Sequence, residues 1–406
     1  MVQKVSQQLK DLVVQKYGGS SLANLKKITA AARNIQLALK DYKKILVVVS
    51  AMGEFTDILL DKAKKLSKNP PKRELDMLLT TGERISTSLL CIALDNLGIR
   101  AASLTGSQSG ILTDGQHGNA RITKILGTRI IEGFEQNDVM IVAGFQGVYP
   151  KTKDITSLGR GGSDLSALAL AQTFRAEVCQ IFTDVEGIMT ADPRLVPKAR
   201  SIEKLSWQAM NQLAWAGALV IHHRGATLAK KYRLAVEMRC SLPNKKKYSQ
   251  IHGDQSMEGP LLTALAHKKN LVFVEAKTKQ NPLKDQVIKE ALIHLGAADA
   301  SPDIFHFARH KDDWHLKLLL PKRALSILAD SLHEQVEQLT DQMPLGMVSL
   351  IGEGFRQNPE FVGEIISCIN VTIEYCETND STIYFVVAES DVEVLLRELH
   401  ARYFES

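Results

Sequence analysis

Leu158-Gly159-Arg160-Gly161-Gly162-Ser163-Asp164 runs directly into an apolar helical pattern over 165–174, and it is the most informative stretch of the 406-residue chain. Glycines let backbone N–H groups approach a ligand without side-chain obstruction. A helix start adds unpaired donors and the positive end of the helix dipole, which suits an anion such as phosphate. Arg160 adds a permanent cation, and Asp164 lies close enough in sequence to orient a cation or a donor. Taken alone, the same pattern also fits a tight loop capped by Ser163 or Asp164. The choice depends on what the rest of the chain supplies.

Around this loop, short β-branched runs alternate with helical patterns. Strands are predicted at 12–15, 45–50, 101–104, 139–143, 178–183 and 235–239. Helices are predicted at 25–39, 75–97, 119–135, 165–174, 207–214 and 226–232. Fully apolar strands between amphipathic helices predict an α/β fold, a mostly parallel sheet sandwiched by helices. Ligands in such sheets bind beyond the carboxyl ends of the strands, where this chain carries its Gly and polar residues.

The pattern changes near 242–260, a Lys-, Gly- and Pro-containing linker. Beyond it the order strand, helix, strand, strand, helix occurs twice. One copy runs through 271–276, 283–295, 304–308, 314–320 and 325–338. The other runs through 348–351, 360–369, 371–376, 382–388 and 392–403. Two ferredoxin-like βαββαβ units of roughly 65 to 75 residues account for this half. Such pairs are expected to dock sheet to sheet as a sensing module, a dimerisation module or both. The expected domains are therefore 1–245, 260–342 and 343–406, the last two interleaved.

Composition bounds the function. A net charge of +5 is mild and dispersed. Lys245-Lys246-Lys247 has no aromatic-interleaved basic stripe beside it, so no nucleic-acid partner is expected. Five cysteines, Cys91, Cys179, Cys240, Cys368 and Cys376, form no Cys-x-x-Cys pair and read as thiols in a reducing compartment. The polar N-terminus and the short apolar runs predict a cytoplasmic chain with no membrane partner.

Further motifs sit at the predicted strand ends. Lys16-Tyr17-Gly18-Gly19-Ser20-Ser21 joins the first strand to the first helix. Its glycine pair admits a polyphosphate to backbone N–H groups and Lys16 supplies a point cation, although an ordinary turn with a surface lysine has the same composition. It lacks the Walker spacing. Ser50-Ala51-Met52-Gly53 closes the second strand, with Thr56-Asp57 just after. Thr80-Thr81-Gly82-Glu83-Arg84 opens or interrupts a long helix; Glu83 suits a ligand's ammonium group, or is a solvent-facing helix residue. Thr183-Asp184-Val185-Glu186-Gly187 and Thr190-Ala191-Asp192-Pro193-Arg194 form a nucleoside edge or a plain loop.

Taken together, these motifs resemble aspartate kinase, a member of the amino-acid-kinase family with C-terminal paired ACT domains. The resemblance rests on Lys-Tyr-Gly-Gly-Ser-Ser at 16–21, Val-Ser-Ala-Met-Gly at 49–53 and Thr-Gly-Glu-Arg at 81–84. It also rests on Thr-Gly-Ser-Gln-Ser-Gly at 105–110, His-Gly-Asn-Ala-Arg at 117–121 and Gly-Phe-Gln-Gly at 144–147. The loop at 158–164 and Thr-Ala-Asp-Pro-Arg at 190–194 complete the order. The second half resembles the ACT pair in pattern more than in residues.

The resemblance implies transfer of the γ-phosphoryl group of ATP to the side-chain carboxylate of L-aspartate, giving 4-phospho-L-aspartate and ADP. That is the first step of lysine, threonine and methionine biosynthesis. By motif, Lys16 stabilises charge on the transferring group, and Asp164 organises Lys16 and the metal-bound phosphates. Glu83 and Arg160 grip the α-ammonium and α-carboxylate of aspartate, with Ser50, Thr56, Gly161, Gly162 and Ser163 lining that pocket. Tyr17, Gly18, Gly19, Thr183, Asp184, Asp192 and Arg194 join Lys16 in holding the nucleotide. Mg²⁺ is expected mainly on the phosphates, with no metal site built from protein ligands. A homodimer or larger homo-oligomer and an amino-acid effector, lysine or threonine, are the implied partners.

Some residues depart from the resembled pattern. Met189 replaces a Tyr beside the nucleotide, and Leu219 replaces a Lys, which is expected to raise the Michaelis constant for ATP. The first ACT turn is replaced by residues 277–282, and Glu360 stands where the second has Gly. Feedback inhibition is therefore expected to be weak or absent. The alternatives are a sister kinase with another carboxylate acceptor and an amino-acid-sensing paralogue with an inert kinase half.

Overall fold

The apolar run Leu12-Val13-Val14 suits an inner strand of the larger sheet, where β-structure is covered on both faces. In this computed structural model the residues described are 9–218, 221–242, 247–253, 261–278, 286–298, 300–310, 313–331 and 344–405. They divide into two units. The first comprises Met1–Met189, Arg200–Trp215 and Leu219–Gln255; the second comprises Thr190–Ala199, Ala216–Ala218 and Ser256–Ser406.

The first unit opens with β1 (Leu12–Tyr17), α1 (Leu25–Ala38), β2 (Lys44–Val49) and α2 (Phe55–Leu66). There follow α3 (Lys72–Leu79), α4 (Thr81–Asp95), β3 (Ala101–Leu104), β4 (Ile111–Thr113) and β5 (Ile122–Ile125). Next come α5 (Thr128–Gly133), β6 (Val139–Ala143), β7 (Gln146–Val148), β8 (Ile155–Ser157), α6 (Gly162–Phe174) and β9 (Val178–Thr183). The unit ends with β10 (Ile188–Met189), β11 (Ser201–Ile202), β12 (Lys204–Leu205), α7 (Trp207–Trp215), α8 (His223–Tyr232), β13 (Val236–Cys240) and β14 (Tyr248–Ile251).

Eight described strands form one sheet in the order β12-β14-β13-β9-β1-β2-β6-β3. Every neighbouring pair is parallel except β13 and β14. Side chains alternate between faces along each strand. Val13 and Tyr17 of β1, with Val47 and Val49 of β2, pack with Ile28, Ala31 and Ile35 of α1 and Leu90 and Leu94 of α4. The i, i+3, i+7 spacing on α1 is what turns one helix stripe toward the sheet. Asn24 caps that helix, accepting from the Lys27 N–H at 3.0 Å. Lys16, between Val13's and Tyr17's face-mates, belongs to the other face, against α6. Helix α6 is buried almost all round, which is why its sequence is apolar without a polar stripe.

A polar stripe crosses the centre of this sheet. The Tyr17 hydroxyl donates to Gln15 at 3.2 Å, Gln15 Nε2 to Gln180 at 2.9 Å, and Gln180 Nε2 to Glu237 at 2.9 Å. Arg239 Nε closes the row on Glu237 at 2.7 Å. Each buried polar group thus has a partner, and the stripe pins the register of β1, β9 and β13. That register aligns the ends of β1 and β9, where the Lys16–Gly19 and Thr183–Asp184 turns begin.

Several elements differ from the expectation. The helix predicted at 119–135 is instead β5, a Gly127 in the left-handed region at φ 66°, and the short α5. Its Ile122-Thr123-Lys124-Ile125 sequence pairs with β4 in a four-stranded sheet of order β5-β4-β7-β8. Tertiary pairing with β4 supplies the partner that a periodicity count cannot see. The helix predicted at 75–97 breaks at Thr80, so Thr81 opens α4. Together Lys72–Asp95 form the one described helical segment long and apolar enough by composition to cross a membrane. Its apolar side is spent on the core, where Leu90 and Leu94 are fully buried. The expected linker at 242–260 contains β14, an inner strand of the first sheet.

The second unit contains β15 (Leu261–Thr278), α9 (Gln286–Ala297), β16 (Ile304–His310), β17 (Asp313–Pro321) and α10 (Leu325–Ser331). It continues with β18 (Leu345–Glu353), α11 (Pro359–Ser367), β19 (Tyr375–Thr378), β20 (Thr382–Ala388) and α12 (Val392–Phe404). Its six described strands lie in the order β16-β17-β15-β18-β20-β19, all antiparallel. The two strand–helix copies therefore join edge to edge rather than face to face. The 18-residue β15 makes the join, pairing with β18 through its first half and β17 through its second. Alternation along β15 sends Val272 and Val274 to the α9 side and Leu271 and Phe273 to the other. The ends of the helices predicted at 283–295 and 325–338 lie partly outside the described residues.

Segment Thr190–Ala199 belongs to this second unit. Leu265 N–H donates to the Thr190 carbonyl at 2.7 Å, and Arg397 Nε to the Leu195 carbonyl at 2.8 Å. The buried His400 Nε2 meets Thr190 Oγ1 at 2.9 Å, and Lys198 pairs with Glu405 at 2.6 Å.

Candidate active site

Lys16 and Asp164 meet at 2.5 Å, with side chains only 13% and 11% exposed. Lys16 comes from the end of β1 and Asp164 from the first turn of α6, so the pair joins the sheet to the glycine loop. Asp164 also accepts from the His222 N–H at 3.4 Å. Two side chains so far withdrawn from water hold each other in place, since neither partner can leave without baring the other.

The loop itself needs its glycines. Gly161 sits at φ 65°, and a Cβ there would lie 2.0 Å from His222 Cβ. Ser163 and Asp164 are buried, whereas Arg160 is exposed and makes no ion pair among the described residues. A permanently charged, unpaired guanidinium at a loop tip is free to take a carboxylate bidentately.

Glu83 is set by a close approach. A Cβ on Gly82 would fall 2.7 Å from Ala51 Cβ, so α4 can start against the turn that ends β2. Glu83 is only 3% exposed. Its Oε1 accepts from the Ala51 N–H at 3.1 Å. Its Oε2 is buried with no hydrogen-bond partner among the described residues. Burial pushes its carboxyl up to about 7, partly offset by the backbone N–H groups of Glu83 and Ala51. A desolvated carboxylate with one unused oxygen is suited to a ligand cation.

The structure brings Lys16, Gly18, Asp164 and the glycine loop together at one face of the first sheet. A Cβ on Gly18 would be 3.3 Å from Lys16 Nζ. Tyr17 turns away from that face; it is buried and stacks on Phe182 with ring centroids 4.6 Å apart. Gly19 lies under the 51–53 turn, where the Gly53 N–H donates to its carbonyl at 3.0 Å. Ser50 follows β2 and Thr56 lies in the first turn of α2, both half-buried. Thr183 ends β9 and donates to the exposed Asp184 at 3.1 Å. Asp192 and Arg194 lie in the second unit and pair with each other at 2.7 Å, which holds the Asp192 carboxyl below its usual range. Met189 is half-buried in β10, and Leu219 lies outside the described residues.

Sequence reasoning left three anchors of the loop unassigned. Arg224 on α8 donates to Asn119 Oδ1 at 2.8 Å, to the Ala120 carbonyl at 2.9 Å and to the Leu158 carbonyl. Asp76 on α3 is 1% exposed and ties residues 117, 118 and 157. His222 fills the space that Gly161 leaves open. Asn119 stood inside a quoted motif, but nothing in its spacing pointed to an arginine more than a hundred residues away.

The amino acid kinase family profile matches residues 11–239. Aspartokinases of Mycobacterium tuberculosis and Corynebacterium glutamicum are each 38% identical, over 97% of this chain and 96% of theirs. The chain belongs to the aspartokinase family. Its fold is also that of Escherichia coli aspartokinase III solved with aspartate and ADP, at TM-score 0.76 and 21% identity, covering 97% of this chain and 100% of that one. Clostridium acetobutylicum aspartate kinase superposes with TM-score 0.66 at 19% identity, covering 96% and 99%. For this aspartokinase-family chain, the α/β sandwich with an added C-terminal sheet is thus the fold of its relatives.

The raised Glu83 carboxyl has a signed consequence for stability. Between about 4.5 and about 7 the folded chain keeps a proton that the unfolded chain releases. Stability therefore falls as pH rises through that window and is flat above it. Relative to wild type, Glu83→Gln should be more stable at about pH 8 than at about pH 5, by up to about 3 kcal/mol. Urea unfolding at the two pH values measures this, and an equal difference at both would show that Glu83 is not a buried ionisable group.

Proposed function

We propose that this chain is an ATP-dependent aspartate kinase that phosphorylates the side-chain carboxylate of L-aspartate. The observation that carries this is the buried, half-unpaired Glu83 in the same unit as the unpaired Arg160 and the Lys16–Asp164 pair. An amino acid offers an ammonium to the first, a carboxylate to the second, and a second carboxylate to the phosphoryl-transfer centre. One oxygen of that side-chain carboxylate attacks the γ-phosphorus, the bond to the β,γ-bridging oxygen breaks, and ADP leaves with the electron pair. The carboxylate is already ionised at neutral pH, so no strong general base is required.

Lys16, held by Asp164, is read as the cation that meets charge growing on the transferring group. The amides of Gly18, Gly19, Gly161 and Gly162 and the α6 N-terminus offer further donors to phosphate oxygens. Thr183 and Asp184 are read as nucleotide ligands. Among the described residues no group of three or more His, Cys, Asp or Glu side chains is arranged for a metal ion. Of the two buried carboxylates of the site, Asp164 is already committed to Lys16 and Glu83 is read as taking the ammonium. That donor set fits Mg²⁺ carried mainly by the phosphates, where it would neutralise their charge.

The C-terminal unit is read as a pair of ACT domains, 260–342 and 343–406, that assembles the chain into a homodimer or larger oligomer. Gly354, at φ 77°, keeps one turn before α11. Glu360 stands exposed in the first turn of α11, where a small residue is expected.

ADP release should depend on L-aspartate, with L-glutamate and no acceptor giving far less. Equal release without aspartate, or none at all, would overturn this reading. Lys16→Ala should lower kcat by about a hundredfold or more with a modest change in aspartate KM; an unchanged kcat would remove Lys16 from its role. Lysine and threonine should inhibit weakly or not at all, and strong inhibition by either below millimolar concentration would show that the altered turns still form a pocket.

A further inference from the structure

Asp76 is a carboxylate buried to 1% exposure on α3, with no part in the chemistry described above. The hydrogen bonds of its carboxylate run to the segments beside the glycine loop. His117 Nδ1 lies 2.6 Å from Oδ2. The Gly118 N–H is shared by both oxygens at 3.2 Å. Ser157 Oγ donates to Oδ1 at 2.5 Å. Ser157 is the last residue of β8 and immediately precedes Leu158, while its carbonyl accepts from the Ala120 N–H at 2.9 Å. Residues 117–120 lie directly against the loop, since a Cβ on Gly159 would be 2.9 Å from Asn119 Oδ1.

The other side of this arrangement is α4. Helix α3 ends at Leu79, and Thr81 opens α4, so Asp76 precedes Glu83 by about two turns on one continuous run. The carbonyl of Thr80, at the break, accepts from Gln146 Nε2 on β7 at 3.0 Å. The run that carries Glu83 is thus tied to β7 at its break and, through Asp76, to the end of β8 and the 117–118 turn.

We propose that Asp76 is a positioning residue that sets the distance between Glu83 and Arg160, and thereby selects an α-amino acid as acceptor. This rests on the assignment of those two residues to the α-ammonium and α-carboxylate. Both groups hang from one carbon, so two grips on separate elements help only if their separation is held to a fraction of an ångström. A buried carboxylate with several oriented donors supplies such a constraint, because each donor fixes a direction that apolar packing would leave free. The gripped groups lie away from the reacting carboxylate. Losing their alignment therefore weakens binding of substrate and transition state alike, and it appears in KM rather than kcat.

Asp76→Asn keeps the shape but puts an N–H₂ against donors. It should raise the KM for aspartate about tenfold or more, with kcat within about threefold and the KM for ATP within about twofold. Ser157→Ala, which removes one donor and bares no charge, should move the same constant in the same direction by less, and serves if Asp76→Asn fails to fold. In a Glu83→Gln background, Asp76→Asn should add little, because the grip it aligns is already gone. An unchanged aspartate KM, an equal loss in kcat and ATP KM, or full additivity with Glu83→Gln would overturn the proposal. If the wild-type chain turns over no aspartate, the site reading fails instead. Hydrogen exchange then decides for Asp76: faster exchange at 117–120 and 157–162 in the variant supports the positioning role, and unchanged exchange refutes it.

Discussion

The ion pair between Lys16 and Asp164 ties the central strand of the sheet to the first turn of the most buried helix. Both side chains are largely withdrawn from water, so each depends on the other to offset its desolvation. The pair holds only if β1 ends with Lys16 on the α6 face and if the preceding glycines let α6 start beneath it. Strand alternation meets the first condition, with Val13 and Tyr17 committed to the α1 face. Gly161, in a conformation that side chains rarely adopt and a space that a Cβ would overfill, meets the second. Much else in the first unit serves to keep these two constraints compatible.

Glu83 shows the opposite economy. Its carboxylate is buried with one oxygen unmatched, and burial raises its pKa instead of a partner lowering it. Such a group weakens the resting fold and is retained where a ligand cation completes it. The cost is contained by rigid surroundings: the Ala51 N–H, the close approach at Gly82, and the Asp76 cluster one break upstream. The groups proposed to act stand on element ends, while the polar contacts that hold them come from elements far away in sequence.

In the second unit, one long strand makes two similar halves into a single sheet. Each half of β15 pairs with a different neighbour, so the repeat evident in the sequence becomes a continuous surface with helices α9 and α12 on separate clusters. The segment Thr190–Ala199 is held by main-chain and side-chain bonds to β15 and α12. Its motif lies between elements of the first unit in the chain, yet it folds with the second.

The sequence by itself determined the alternation of apolar strands with amphipathic helices, the parallel sheet, the C-terminal repeat and the motifs of the site. These are local matters: periodicity, β-branching, and glycine beside a cation depend on residues within a few positions of one another. Only the tertiary structure decided that residues 122–125 form a strand, because Ile122-Thr123-Lys124-Ile125 gains from pairing with β4 more than helix propensity can offer. Likewise, only folding reveals that Asp76, His117 and Ser157 share one buried carboxylate, or that Arg224 holds the Leu158 carbonyl. Those contacts join residues 41 to 81 positions apart in the first case and 66 in the second, and no local pattern encodes a partner at that distance. The chemistry was legible because it sits in contiguous motifs; the scaffold that aims it was not, because burial and hydrogen bonding are set by which distant elements the fold brings into contact.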